Sequence, residues 1–391
     1  MLSSAEWRER EYDRQAADAV CAALPSGFPQ FLAHVLASRG VDSEGVEEYL
    51  APDLKSLPPP KDLPGVCNCA EKILYAVAQK RKIVVYGDYD ADGVCATAIM
   101  TRTLEALGAN VAGFIPRRHG EGYGLTEASM KRLFEEHPDV GLVVTVDNGV
   151  NSVAEIAEIK SRGVGVVITD HHLPGLELPC ADAIAEPKVD APQALENLCG
   201  AGVAFYVAQE LVCQAKLRGL YPEDGPKIAG PLMILAGVAT VTDVMPLSGA
   251  NRTLVSAALR HFRHVAPVGL KALFLADGQK PMDRLNARDF GFFVGPRLNA
   301  AGRMAFGQTA YELVSTDELE EARNLAVKLK DYNAERRGIE ERMAGEAFAQ
   351  LIEGAAAQVV SDAGLEKEWH PEWRGSWRRA SSSRRLFQWQ S

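Results

Sequence analysis

No run of about 18 apolar residues exists in the 391-residue chain, so a membrane-spanning helix is not expected. A cleaved leader is not indicated either, because Met1 to Arg14 is charged and polar. Both absences point to a cytoplasmic protein. Cysteine is sparse: seven residues, an odd number, are scattered from Cys21 to Cys213, and the one close pair, Cys67 and Cys69, has no second pair to complete a zinc site. Reduced thiols are therefore expected. Positive charge is also short, with 42 Lys and Arg against 52 Asp and Glu and a net charge of −10. This excludes a protein that coats DNA by bulk electrostatics, because that affinity comes from cations neutralising phosphates. Any nucleic-acid contact must be local, whereas an acidic balance suits an enzyme that concentrates carboxylates around divalent cations. No Gly-x-x-x-x-Gly-Lys loop occurs, which argues against nucleotide-driven motor activity.

At 47% hydrophobic residues and this length, the chain can bury a substantial core and hold two domains. Residues 1 to about 60 alternate short helical patterns, Phe28 to Ser38 and Val46 to Leu50, with breaks that end at Leu57-Pro58-Pro59-Pro60. Apolar β-branched runs come next: Ile83 to Tyr86, Val111 to Ile115, Leu142 to Val146, Val164 to Thr169 and Ala183 to Ala185. Runs without two-residue alternation are strands buried on both faces, and their alternation with helical stretches predicts an α/β fold with a parallel sheet. Helical patterns fill Gly200 to Phe274, and a long polar helix is expected from about Thr316 to Ile352.

Four of these segments end in acidic residues or histidine, and ligands of open α/β sheets bind at the carboxyl ends of the strands. The first strand leads into Gly87-Asp88-Tyr89-Asp90-Ala91-Asp92-Gly93. An extended segment would put Asp88, Asp90 and Asp92 on one side, and helix capping explains only one of the three carboxylates. Two further strands run into Asp147-Asn148-Gly149 and Asp170-His171-His172. Each alone reads as a turn or a polar loop. Their coincidence at neighbouring strand ends favours a site. An apolar helix, Leu232 to Val241, then leads to Thr242-Asp243, where a carboxylate is costly to bury unless it is paired or bound to metal. Carboxylates with one or two imidazoles and no thiolate select Mn²⁺ or Mg²⁺ over structural zinc. Two such ions sharing an aspartate would clamp a phosphate, so the expected reaction is phosphoester hydrolysis.

These motifs, with Ala239-Thr240-Val241-Thr242-Asp243, resemble the DHH phosphoesterase superfamily. Gly295-Pro296-Arg297-Leu298-Asn299-Ala300-Ala301-Gly302-Arg303, Ile115-Pro116-Arg117-Arg118 with Gly122-Tyr123-Gly124, and Leu36-Ala37-Ser38-Arg39-Gly40-Val41 narrow the resemblance to the RecJ family of bacterial 5′ to 3′ exonucleases specific for single-stranded DNA. The match runs in order from about residue 28 to about residue 371. By that resemblance Asp90, Asp92, Asp147, His171 and Asp243 match metal ligands, Asp88 lies with them, and His172 shares their catalytic motif. Arg297, Asn299 and Arg303 match residues near the phosphate, and Arg117 sits where a second wall of the cleft would stand. Arginine suits bidentate phosphate contact, although Arg297 and Arg303 could instead be ion-paired in the core.

The resemblance also implies a second domain beyond the long helix, of the DHHA1 type, and then an OB-fold that grips single strands. The sequence supplies Trp369-His370-Pro371 and then departs. The stretch from Glu372 to Ser382 is basic, rich in tryptophan and without apolar periodicity, which suits a nucleic-acid-binding arm. A frameshift after Pro371 accounts for it better. Codons allowed for 372–382, read one nucleotide out of frame, give Gly-Val-Ala-Gly-Ile-Val-Ala-Ser-Arg-Ile-Val, the stretch the family places there. The expected layout is a cap over 1–65, a catalytic domain over 66–310, a connector helix over 311–357 and a remnant with an aberrant tail over 358–391. On this reading the chain is a monomeric exonuclease of recombination and repair, weakened by the loss of its second domain and OB-fold. Two alternatives stand beside it: a phosphodiesterase on small nucleotides or short oligonucleotides, and an inactive truncated product or scaffold.

Overall fold

The computed structural model describes residues 12–122, 124–221, 227–276, 278, 282, 284–304 and 306–349, and the backbone of 359–360, 376–379 and 387–390. Three helices, α1 (Arg14–Ala23), α2 (Gln30–Ala37) and α3 (Val46–Leu50), form the N-terminal cap around their own small core of Val20, Ala33, Leu36 and Val46. The sheet begins after α4 (Val66–Ala78) with β1 (Lys82–Tyr86), and continues through α5 (Ala91–Ala106), β2 (Val111–Phe114), α6 (Arg118–Glu121), α7 (Glu127–Glu136), β3 (Val140–Val146), α8 (Val153–Ser161), β4 (Gly165–Thr169) and β5 (Ala183–Ala185). All five strands are parallel, in the order β2-β1-β3-β4-β5, with Ile83 paired to Val111 and Leu142.

Parallel strands need both faces covered, and the side chains divide accordingly. Ile83, Val85, Leu142, Val144 and Val167 face a large core shared with α4, α5 and the helices that come after the sheet. Val84, Tyr86, Val143, Val166 and Ile168 face a second core against Met130 and Leu133 of α7 and Ile156 and Ile159 of α8. Each fully buried Val or Ile contributes about 1.5–3 kcal/mol, so the sheet is held from both sides. The order of the strands reverses between β1 and β3. That switch point opens a crevice at their carboxyl ends, where Asp88 and Asp147 lie.

Beyond the sheet come α9 (Gly200–Leu217), α10 (Ala229–Thr242), α11 (Gly249–Val265), α12 (Val268–Ala276), α13 (Ala287–Asp289), α14 (Gly295–Met304), α15 (Gln308–Ser315) and α16 (Leu319–Ala349). Phe290–Val294 between α13 and α14 is a π-helical turn. The sequence expectation holds for the strands and the long helix within a few residues. It does not anticipate α1 or the π turn, and one detail needs correction. Asp88, Asp90 and Asp92 are not on one side of an extended segment, because the chain turns helical at Ala91: Asp90 caps α5 and Asp92 stands in its first turn.

Among the described residues no helix is long and apolar enough to cross a membrane, and all seven cysteines are free thiols. Tyr123, Trp369, His370, Pro371 and the end of the expected connector, 350–357, lie outside the described residues. So does most of the expected tail, of which the backbone of Ser376–Arg379 and Phe387–Gln390 pairs antiparallel, the former also with Val359–Val360.

Candidate metal centre

The Asp147-Asn148-Gly149 corner comes directly after β3. Asp147 adopts φ +62°, a left-handed conformation that aspartate tolerates better than most residues but that still carries strain. The corner is held from all sides: the Asp147 amide donates to Thr169 O at 3.0 Å, Asn148 Nδ2 donates to Val146 O at 2.9 Å, and Thr169 Oγ1 donates to Thr145 O at 3.0 Å. Gly200, the first residue of α9, meets this corner closely. A Cβ there would stand 2.5 Å from Asp147 Cβ and Oδ1, so only glycine fits. Gly93 has the same role beneath the first loop, since its Cβ would lie 2.5 Å from the Asp88 amide nitrogen.

Asp90 Oδ1 accepts from the amides of Asp92 and Gly93 and so caps α5. Asp92 crosses the other way. Its two carboxylate oxygens accept from Gly200 N at 2.7 Å and Ala201 N at 2.8 Å, the amides that α9 leaves unpaired at its positive end. Asp243 lies just past the last turn of α10, which closes with the Met245 amide donating to Thr240 O and that of Val244 to Val241 O. Val244 there is 86% exposed and sits at φ +59°.

The six residues predicted as metal ligands, together with His172, come together. Three groups of donor atoms, each within 4.8 Å of one another, are Asp88, Asp90 and Asp147; Asp92, His171 and Asp243; and Asp147, His171 and His172. Asp147 and His171 each belong to two groups, which joins the three into one cluster. His171 Nε2 faces Asp147 Oδ1 at 3.1 Å, Asp92 Oδ2 at 3.7 Å and Asp243 Oδ2 at 3.8 Å. Burial holds His171 below its ordinary pKa, so its imidazole is a neutral donor suited to a metal. Asp147 Oδ1, despite the short approach, lacks hydrogen-bond geometry to any described partner and is buried. Burial and then mutual repulsion push Asp88, Asp90, Asp147 and Asp243 above the usual carboxylate range. A buried carboxylate oxygen with no proton donor, inside a set of oxygen and imidazole donors, fits a hard divalent cation.

His172 is built differently. Its Nδ1 lies 2.8 Å from Asp170 Oδ1, and that hydrogen bond raises the imidazole to about 9. Burial pushes Asp170 up, but His172 and the amides of Val150 and His171 outweigh it and hold the carboxyl low. Sequence reasoning assigned Asp170 no role of its own; its position at the start of Asp170-His171-His172 was the available signal. It also missed Glu186, the residue after β5. Glu186 is buried beside Asp170 and His172, its Oε1 accepts from Lys188 N at 2.8 Å, and burial raises it to about 8.

The predicted phosphate contacts are more dispersed. Asn299 Oδ1 accepts from Ala91 N at 2.7 Å, tying α14 to the first metal-binding loop. Arg297 is buried, donates through Nη1 to Phe293 O at 2.7 Å and stacks over the Phe293 ring at 3.7 Å. Arg303 lies half-buried in the last turn of α14. Arg117 is exposed and lies over the Phe306 ring at 5.2 Å, and the neighbouring Arg118 lies over Tyr89, between Asp88 and Asp90, at 5.0 Å.

The chain is similar to known proteins of one family. The DHH family, N-terminal domain, matches residues 82–235. The single-stranded-DNA-specific exonuclease RecJ of Salmonella typhimurium is 36% identical over 371 residues, covering 94% of this chain and 63% of the relative. RecJ of Thermus thermophilus is 37% identical over 369 residues, 94% of this chain and 49% of the relative. A crystal structure of exonuclease RecJ bound to manganese superposes with a TM-score of 0.67 at 37% identity, covering 78% of this chain and 73% of the other. The chain thus spans 63% of the length of the Salmonella relative and less of the Thermus one.

Proposed function

Because the chain belongs to the RecJ family of DHH proteins, we propose that it hydrolyses phosphodiester bonds of single-stranded DNA from the 5′ end, using Mn²⁺ or Mg²⁺. The observation that carries this reading is the linked donor cluster, in which Asp147 and His171 are shared and Asp147 Oδ1 is buried without a proton donor. Asp88, Asp90, Asp92, Asp147, His171 and Asp243 would hold two ions. When bound, such ions lower the pKa of a water and neutralise charge on the scissile phosphate.

The chain's own residues supply the rest. Asp170 holds the His172 ring by its Nδ1, and in the metal-free protein that hydrogen bond raises the imidazole above its ordinary range. His172 is thereby suited to give a proton to the leaving oxygen. Asp92 is oriented by the amides of α9, so its carboxylate needs no reorganisation to act as a ligand. Asn299 acts through the backbone of Ala91 and keeps the Asp90 and Asp92 turn in place. Arg117, Arg297 and Arg303 are assigned to the DNA phosphates, Arg117 lying over Phe306 and Arg297 stacked on Phe293. Residues 66–310 are read as the catalytic unit, and the protein as a cytoplasmic monomer working in repair and recombination.

Purified chain and its Asp147→Ala variant, incubated with 5′- and 3′-labelled single strands, test this. Wild type should release label from the 5′ end with Mn²⁺, stop with EDTA, and lose at least about 100-fold in rate in the variant, the scale of removing a preorganised charge-stabilising group. Cleavage of dinucleotides with long strands left intact would replace this reading by a small-nucleotide phosphodiesterase. Undiminished turnover in Asp147→Ala would remove the assigned centre.

A further inference from the structure

Residues 115–122 leave the carboxyl end of β2 and form the four-residue helix α6, and residues 124–126 lead into α7. A helix this short cannot hold itself together, since nucleation is unfavourable and few further bonds offset it. Two side chains hold its feet, Tyr86 fully buried and Arg132 partly so. Tyr86, at the end of β1, donates to Gly124 O at 2.8 Å and shares a 2.8 Å hydrogen bond with Ser129 Oγ.

The other foot is held by Arg132, from α7. Its Nε reaches Glu121 Oε1 at 2.6 Å, its Nη2 reaches Glu121 Oε2 at 3.1 Å and Ile115 O at 2.9 Å, and its Nη1 reaches both oxygens of Glu136 at 3.2 Å. The guanidinium stacks 3.9 Å from the Phe114 ring centre. Glu121 Oε2 also accepts from Arg117 N at 2.7 Å, which carries the restraint to the backbone of Arg117. The ion pair is well shielded, with side chains 17% and 9% exposed, so its fork geometry is not loosened by solvent.

Between the two feet stand Arg117, on Phe306, and Arg118, on the ring of Tyr89 in the first metal-binding loop. An ion pair of this completeness fixes a segment whose own interior is one helical turn. What it positions is a pair of arginines, of which Arg118 lies over Tyr89 and acts on the charge of Asp88.

We propose that Arg132 and Glu121 are positioning residues for substrate: their ion pair sets where Arg117 and Arg118 meet the DNA phosphates. The assignment rests on the proposed single-strand nuclease activity. Glu121→Gln, which keeps size and removes charge, and Arg132→Lys, which keeps charge and removes the fork, are the informative variants. With a 5′-phosphorylated oligonucleotide and Mn²⁺, each should raise KM about tenfold, the scale of one charge-assisted hydrogen bond, with kcat within about twofold. In a background of Arg117→Ala with Arg118→Ala, adding Glu121→Gln should raise KM no further.

An undiminished KM effect in that background, or a fall in kcat at constant KM, would reduce the ion pair to a general brace of the fold and overturn the proposal. Far-UV circular dichroism and melting of each variant separate both results from misfolding, and the isosteric Glu121→Gln decides if Arg132→Lys does not fold. Wild type that leaves single strands uncut would sink the nuclease reading, and the positioning role with it. Wild type that cuts, with Arg117→Ala impaired and Glu121→Gln normal, would remove the positioning role alone.

Discussion

Two aspartates of the same cluster should behave oppositely when neutralised. Asp92 spends both oxygens on the amides of Gly200 and Ala201, whereas Asp147 keeps a buried, unbonded oxygen and is repelled by the neighbouring carboxylates. In metal-free protein, Asp92→Asn should cost about 1–3 kcal/mol, the loss of charge-assisted bonds at a helix N-terminus. Asp147→Asn should raise the melting temperature, because repulsion and desolvation are relieved. Both variants should be inactive. Equal shifts in a thermal melt with EDTA would contradict the distinction. Glu186 offers a pH test. Its carboxyl titrates near 4.3 when unfolded and near 8 when folded, so its stabilising contribution is complete below the lower value and is lost as pH rises to the upper one. The advantage of Glu186→Gln in melting temperature should therefore grow between these pH values and level off above about 8. A pH-independent difference would show that burial of this carboxyl is not what matters. The clustered residues were legible in the sequence because their types suit metal binding and strand ends concentrate them. Gly200 and Glu186 were not, since one acts through a distance to Asp147 and the other through burial.

The turn after α10 illustrates what elements impose. Val244 occupies the left-handed position of a helix C-terminus whose two closing hydrogen bonds are both formed, a place where glycine is preferred and a β-branched residue is strained. Being 86% exposed, its side chain contributes little burial. Val244→Gly should stabilise the protein by about 1 kcal/mol in urea unfolding, strain relief exceeding the entropy of a new glycine; destabilisation would mean that the turn depends on the valine side chain. At this scale the strands were the most readable, because uninterrupted β-branched runs such as Ile83 to Tyr86 have few other outcomes. The π turn at Phe290–Val294 was not readable, because its register comes from packing: a Cβ on Gly295 would stand 2.5 Å from Thr242 Cγ2. The turn at Ala91 was misjudged for a related reason. Alternating aspartates suggest extension, yet Asp90 and the amides it accepts from begin a helix.

Across the whole molecule, a net charge of −10 leaves the proposed DNA affinity to a few local cations. If Arg117, Arg118, Arg297 and Arg303 are the phosphate contacts, the slope of log K against log salt for single strands should be no steeper than about −3, at roughly −0.7 per phosphate. Fluorescence anisotropy of a labelled oligonucleotide with Ca²⁺ in place of Mn²⁺ would measure it. A slope beyond about −5 would require a larger basic surface than these four arginines provide. The relation of Asp92 to α9 has a further consequence, in time rather than in space. The first five motif carboxylates and both histidines, Asp88 through His172, precede residue 200, but the amides that seat Asp92 and the glycine that admits Asp147 belong to Gly200 and Ala201, and Asp243 comes later still. A chain emerging from the ribosome carries nearly every proposed ligand well before it can hold them in place. The centre is thus completed only after the helical half has docked on the sheet, and a partly made chain has its ligands without the enzyme.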